Sequence, residues 1–480
     1  MKRALSLALC LLLLLTACGS AETADTAADA VNTDTVEIVE TETEEAPDLP
    51  ADLTFGGATF TFGVVSNANA RNPIVMEEIT GEALNDAQYN TIETASERLD
   101  VVIDEYLIDE SYPATNTIRS IVSAGDDVIQ VANLYCAAAP VMLVDGYALD
   151  YNKVPNIDLT KSYWDQSVNR SLVLGDMRYA AIGDLSITTH DLTFILLFSK
   201  EQISQNGLES PYDLVNEGKW TMDIMQEMME TVTVDTNGDS KFTQEDTYGY
   251  LATVKNVLPS FWIGAGEITI ELNEDGIPAM TMKDERFLNI IDRIFTMTYD
   301  NNAWFRSKLS EDVNQENIQM FQENKGLFMD CSLFWVGALR DMETDFGIIP
   351  YPMYDEAQGE YYARVSYFMP PIIPITNGNL EMTGAVLEVT NYLAKQSITP
   401  AYYEISLKGK YSRDEESVEM LDLIFDHRVI DLGDTIFCPD VRDGFFSQMY
   451  SSNKRDLVST VEKNESKIQS TIDNMIAANQ

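Results

Sequence analysis

Residues 58–65 read ATFTFGVV, with Phe60, Phe62 and Val64 alternating with smaller residues, the period-two signature of a strand. The neighbouring segments on its carboxyl side decide the kind of sheet that strand enters. After the loop SNANARNP (66–73), residues 82–99 (EALNDAQYNTIETASERL) place Leu84, Ile92, Ala95 and Leu99 near one helical face. DVVIDEYLI (100–108) returns as a strand, ATNTIRSIVSAG (114–125) reads as a helix, and DDVIQVANL (126–134) as a third strand. Strand–helix–strand–helix–strand predicts a parallel sheet with helices on its faces. Ligands of such sheets sit beyond the carboxyl ends of the strands, here the loops after Val65 and Val131.

Downstream, MRYAAIGDLSITTHDLTFILLFSKEQI (177–203) is long and mostly extended, and is expected to cross into a second lobe near Asp184 to Asp191. That lobe takes in a helix around Met222–Met229, the stretch LPSFWIGAGE (258–267), an amphipathic segment near Phe287–Phe295, and ENKGLFMDCSLFWVGALRDM (323–342). ARVSYFMPPIIPI (363–375) is a second extended piece that would lead back to the first lobe. No short internal repeat is present.

The chain starts MKRALSLALCLLLLLTACGS. Lys2 and Arg3 precede an apolar run, Ala4 to Leu15, too short for a comfortable membrane span. The run ends in Leu15-Thr16-Ala17-Cys18, which resembles a bacterial lipobox and implies cleavage before Cys18, with lipid on that cysteine. From Gly19 to Pro50 there is no Lys, Arg or aromatic residue among many Ala, Thr, Asp and Glu. Such a segment buries too little apolar surface to offset chain entropy and is expected to act as a disordered acidic tether. The roughly 430 residues beyond it exceed a single small core and predict two lobes.

A formal net charge of −47 argues against nucleic acid, which is held by clustered cations that displace counterions. It argues equally against adhesion to anionic headgroups. After Cys18 only Cys136, Cys331 and Cys438 remain, too far apart and too few for a disulfide framework or a zinc site.

DTNGDSKFTQED (235–246) carries oxygen side chains at positions 1, 3, 5, 9 and 12, the ligand spacing of a calcium loop. Asp235, Asn237, Asp239, the Lys241 carbonyl, Thr243 and Asp246 are the candidate metal ligands, and Ca2+ the candidate cofactor. Ser240 stands where such loops want Gly, and a non-Gly residue at positive φ costs about 1 kcal/mol. Asp246 is shorter than the usual Glu. A single copy leading into the strand-like TYGYLATV suits an ion that fastens a loop better than one that is sensed. Without calcium the same residues would form a polar turn.

Catalysis finds no support in the motifs. His190 and His427 are the only histidines, and there is no Gly-x-Ser-x-Gly, His-Glu-x-x-His or phosphate-binding Gly-rich loop.

Taken in order, ALNDAQYNTIETASERLDVVI, RYAAIGDLSITTHDLTFILLFSKEQI, EGKWTMDIM, FWIGAGE, NKGLFMDCSLFWVGALRDMETDFGIIPYP and GKYSRDEESVEMLDLIF resemble the family 1 extracellular solute-binding proteins. These are the maltose-binding-protein-like receptors of bacterial ABC importers, and the similarity runs from about Leu53 onward. The long acidic tether and the calcium-like insertion depart from the pattern. The resemblance implies an α/β, two-lobed type II periplasmic-binding-protein fold with an interlobe hinge and cleft. Its expected parts are a signal peptide (1–17), the lipidated Cys and tether (18–52), a first lobe (53–187 plus about 370–400) and a second lobe (188–369 plus about 401–480). The implied function is a non-enzymatic, monomeric receptor, lipid-anchored on the extracellular face of the bacterial cytoplasmic membrane. It would capture a carbohydrate, expected to be an oligosaccharide, and pass it to ABC permease subunits. Alternatives are a same-fold receptor for a peptide or other solute, a secreted glycosidase, or a surface adhesin.

Sugar sites stack aromatic rings on pyranose C–H faces and bond hydroxyls with Asp, Glu, Asn and Arg. Trp262, Phe334 and Trp335 are the candidate rings, in segments that border the second lobe's cleft by resemblance. Asn67 and Asn69 follow the first strand, Tyr135 lies beyond the third, and Asp184 and Tyr367 lie on the proposed crossings. All eight are candidate ligand-binding residues.

Overall fold

The computed structural model describes residues 46–66, 73–306, 313–339, 342–403 and 413–480. The main strands are Ala58–Val65 (β1), Val101–Ile108 (β2), Val131–Asn133 (β3), Phe194–Ser199 (β4), Tyr248–Ala252 (β5), Trp304–Arg306 (β6), Gly326–Ser332 (β7) and Phe346–Ile349 (β8), followed by Ala363–Arg364 (β9), Pro371–Ile372 (β10) and Arg428–Val429 (β11). They form two principal sheets. One has the order β10-β3-β1-β2, with β1 parallel to β2 and β3 and with β10 antiparallel at its edge. The other has the order β6-β5-β7-β4-β8, with β4 antiparallel to both neighbours. β11 pairs with β9 in a small ribbon beside the second sheet.

Helices cover the sheets. In the first lobe, Ala83–Leu99 (α1) buries Ile92, Ala95 and Leu99, and Asn116–Ala124 (α2) buries Ile118 and Val122. In the second lobe, Met222–Val232 (α3) buries Met222, Met225, Met228 and Met229, and Val254–Gly264 (α4) is buried over most of its length. Leu380–Pro400 (α5) returns to the first lobe and packs against α1. Its start is fixed by Asn379, whose side chain accepts from the Met382 N–H at 3.1 Å, an N-cap satisfying an otherwise orphan donor. Gly384 is required by close approach, since a Cβ there would meet the Pro155 carbonyl oxygen at 1.8 Å. Glu415–Asp426 (α6) packs against β8 in the second lobe, and Leu457–Asn479 (α7) ends the chain.

β4 reads FILLFS and is buried at every position, as expected for a central strand covered on both faces. Cys136, Cys331 and Cys438 are free and buried. Among the described residues no helix is long and apolar enough to cross a membrane. Cys18 and the acidic segment to Glu45 lie outside the described residues.

Candidate functional site

The segments that join the two sheets run side by side. The first, 183–193, leaves the first lobe at Gly183, where a Cβ would meet Asn391 Oδ1 at 2.3 Å and the Tyr163 carbonyl at 2.7 Å. Only glycine fits that exit. The second, 365–370, lies antiparallel to it: Thr193 bridges Val365, and the Ser366 N–H donates to the Leu192 carbonyl at 3.0 Å. A third begins beyond Pro400, at the end of α5. The helical turn Leu333–Val336 starts directly beside the first crossing, its Leu333 N–H donating to the Thr193 carbonyl at 3.1 Å.

This arrangement gathers carboxylate, phenol and apolar rings from both lobes. Asp191 sits on the first crossing, and its Oδ1 accepts from the Tyr402 hydroxyl of the third crossing at 2.8 Å. Burial raises the Asp191 carboxyl to about 6, only partly offset by that bond. Tyr367 stands on the second crossing, half-buried, with its ring centroid 6.4 Å from Tyr135 of the first lobe. Burial, and then Tyr135, Cys136 and Asp191 close by, push the Tyr367 phenol above its ordinary value. Tyr135 in turn meets Tyr112 edge-on at 5.1 Å, and the Tyr112 hydroxyl reaches Cys438 Sγ of the second lobe at 2.9 Å. Tyr112 is 45% exposed and Phe334 37%; Phe334 and the half-buried Trp335 meet at 5.3 Å, nearly perpendicular. Accessible apolar rings beside a hydroxyl-accepting carboxylate suit a polyhydroxylated ligand with C–H faces.

The structure brings Tyr135 and Tyr367 together and leaves Phe334 and Trp335 at the surface beside the first crossing. Trp262 is a correction. Its ring is fully buried among Phe287 and Phe446, and its Nε1–H donates to Asp431 Oδ2 at 2.9 Å. A ring with no exposed face offers no stacking surface. Asp184 turns the other way, toward α5: Oδ1 accepts from Thr399 Oγ1 at 2.9 Å, and Oδ2 lies 3.8 Å from Lys395 Nζ. Asn67 and Asn69 lie outside the described residues. Sequence reasoning passed over Asp191, Tyr402 and Tyr112. For Asp191 there was a signal, an acidic residue shortly before the apolar strand FILLFS on a predicted crossing. For the two tyrosines there was none.

The calcium-like loop closes on its own backbone. Asp235 accepts from the Gly238 and Ser240 N–H groups, both at 2.7 Å, and Asp246 accepts from Thr236 and Thr243 at 2.9 and 2.8 Å. Burial opposes the Asp246 charge, but the Thr243 and Thr236 amides outweigh it and hold the carboxyl below the usual range. Ser240 adopts φ +63°, the left-handed conformation for which such loops use Gly. Among the described residues no three His, Cys, Asp or Glu side chains are grouped to hold a metal ion.

No family model and no curated protein matches the chain. Solved structures do. A cyclo/maltodextrin-binding protein complexed with maltotetraose is similar over 86% of this chain and 98% of that one, at TM-score 0.59 and 10% identity. The cyclic alpha-maltosyl-1,6-maltose binding protein of Arthrobacter globiformis is similar over 88% and 98%, at TM-score 0.57 and 14% identity. The GacH receptor of Streptomyces glaucescens, solved unliganded and with acarbose, is similar over 87% and 99%, at TM-score 0.56 and 14% identity. The chain has the fold of these binding proteins, two α/β lobes of the type II periplasmic-binding-protein architecture.

Proposed function

We propose that this protein is a solute-binding receptor that captures a carbohydrate, an oligosaccharide in particular, between its two lobes and releases it unchanged to an ABC permease. The observation that carries the reading is the meeting of three crossing segments at Asp191, with Tyr402 and Tyr367 beside it and accessible rings on either lobe. Binding proteins for maltodextrins and acarbose share its fold. In this reading Asp191 accepts sugar hydroxyls, Phe334 or Trp335 covers a pyranose face, and Tyr112 with Tyr367 closes the opposite side. A ligand touching both lobes would favour the closed arrangement by its differential contacts. Lipid on Cys18 and the acidic segment would hold the receptor at the outer face of the membrane. Calorimetry with a panel of neutral glycans tests the reading. Saturable binding of at least one glycan, recovered intact, is the expected result; no binding across the panel, or cleavage during titration, overturns it.

We also propose that calcium stabilises the 235–246 loop, with Asp235, Asn237, Asp239, the Lys241 carbonyl, Thr243 and Asp246 as ligands. The twelve-residue spacing and the backbone at Ser240 support this.

A further inference from the structure

A pocket of about 220 Å3 lies at the hinge, on the side to which Asp184 turns. Its walls include Trp164 and Asp165 of the first lobe, His190 of the first crossing, Lys395 and Thr399 of α5, and Arg428 on β11. Arg428 Nη2 donates to Asp165 Oδ2 at 3.1 Å, an ion pair that joins the lobes with side chains only 11% and 13% exposed. Its guanidinium lies 5.3 Å from the Phe425 ring centroid. Nε and Nη1 are buried and have no hydrogen-bond partner among the described residues. Buried donors left unpaired forfeit the hydration they had in water, a cost that a bound acceptor removes.

Three carboxylate oxygens in the pocket already have donors. Asp165 Oδ1 takes the Ser167 and Val168 N–H groups at 3.1 and 3.0 Å and the Ser167 hydroxyl at 2.8 Å, while Oδ2 takes Arg428. Asp184 Oδ1 takes the Thr399 hydroxyl. The unpartnered donors beside them are Arg428 Nε and Nη1, and the Lys395 ammonium stands a loose 3.8 Å from Asp184 Oδ2. Burial, and then Arg428, push the His190 imidazole down to about 3, so it adds no charge of its own.

We propose that this hinge pocket binds a small oxyanion, a carboxylate or inorganic phosphate, between Arg428 and Lys395. Because the walls come from both lobes and a crossing, the anion would favour the hinge angle that keeps them together. The site is separate from the one assigned to sugar and stands whether or not the protein binds sugar.

The test is thermal unfolding of the full extracellular chain in sodium acetate or inorganic phosphate, against sodium chloride at matched ionic strength. A saturable rise in Tm above the chloride baseline is expected, since an anion binding only the folded state stabilises by mass action. A response to acetate alone, to phosphate alone, or to both names the class and supports the site. Arg428→Met should abolish the rise. Lys395→Met, which leaves the Arg428–Asp165 pair intact, should move its midpoint to about tenfold higher anion concentration. The imidazole titration of His190, followed by NMR, should shift upward when anion is bound. No saturable rise in the parent, or an unchanged rise in both variants, overturns the proposal.

Discussion

The Tyr402 hydroxyl donates to Asp191 Oδ1 at 2.8 Å, tying the third crossing to the first across 211 residues of chain. The bond holds a partly buried carboxylate in place where the crossing segments meet, the group that the proposed function assigns to sugar hydroxyls.

Asp191→Asn should weaken binding of the best glycan by about 1–3 kcal/mol, roughly five- to a hundredfold, because sugar hydroxyls lose their charged acceptor. Burial raises this carboxyl to about 6, so affinity of the parent should fall as pH drops through 6 and the acceptor is protonated. In the variant the same pH range should be flat. The sign for stability is opposite: a carboxyl raised on folding contributes stability that is complete below about 4 and lost as pH rises through about 6. Calorimetry and melting curves from pH 4 to 8 read both.

Phe334→Ala and Trp335→Ala should separate from Trp262→Ala in kind. Loss of a true stacking ring should cost about 1–3 kcal/mol of glycan affinity at nearly unchanged Tm. Trp262→Ala opens a cavity beside Phe287 and Phe446 and strips Asp431 of a donor, so it should cost about 3–5 kcal/mol of stability. Denaturant melts beside titrations decide; a full-strength melt with lost affinity for Trp262→Ala would move that ring back into the site.

Calcium should raise the Tm of the parent, and Asp235→Ala with Asp239→Ala should remove the rise. Glycan affinity in calcium-free buffer should be the same for both proteins, since every partner of the loop's carboxylates is local. A parent insensitive to calcium would leave the loop as the self-bonded turn.

Cys18→Ala should leave the protein unprocessed or shed it from membranes, because a diacylated cysteine supplies two lipid chains and firm anchoring needs about two. Fractionation with mass measurement of the amino terminus checks this. Firm membrane retention of a fully processed variant would remove Cys18 from the anchor.

Periodicity determined most of the elements. The alternation in ATFTFGVV, the apolar run FILLFS and the helical spacing around Ile92 and Leu99 each describe a face that must be buried, and such faces are written in local sequence. The turn chemistry of 235–246 was equally local, down to the residue that has to bend at Ser240.

Which polar or aromatic group is buried, and by what partner, was decided by tertiary structure alone. Asp184 and Asp191 lie on one crossing, but α5 claims the first through Thr399, and the third crossing holds the second through Tyr402. Trp262 and Trp335 sit in similar aromatic stretches, yet Trp262 is drawn into the core by Asp431, 169 residues away, while the turn at Leu333 leaves Phe334 in the open. Burial of an element is a property of its own periodic face. Burial of a single side chain depends on what distant segments pack against it, and local spacing carries no record of them.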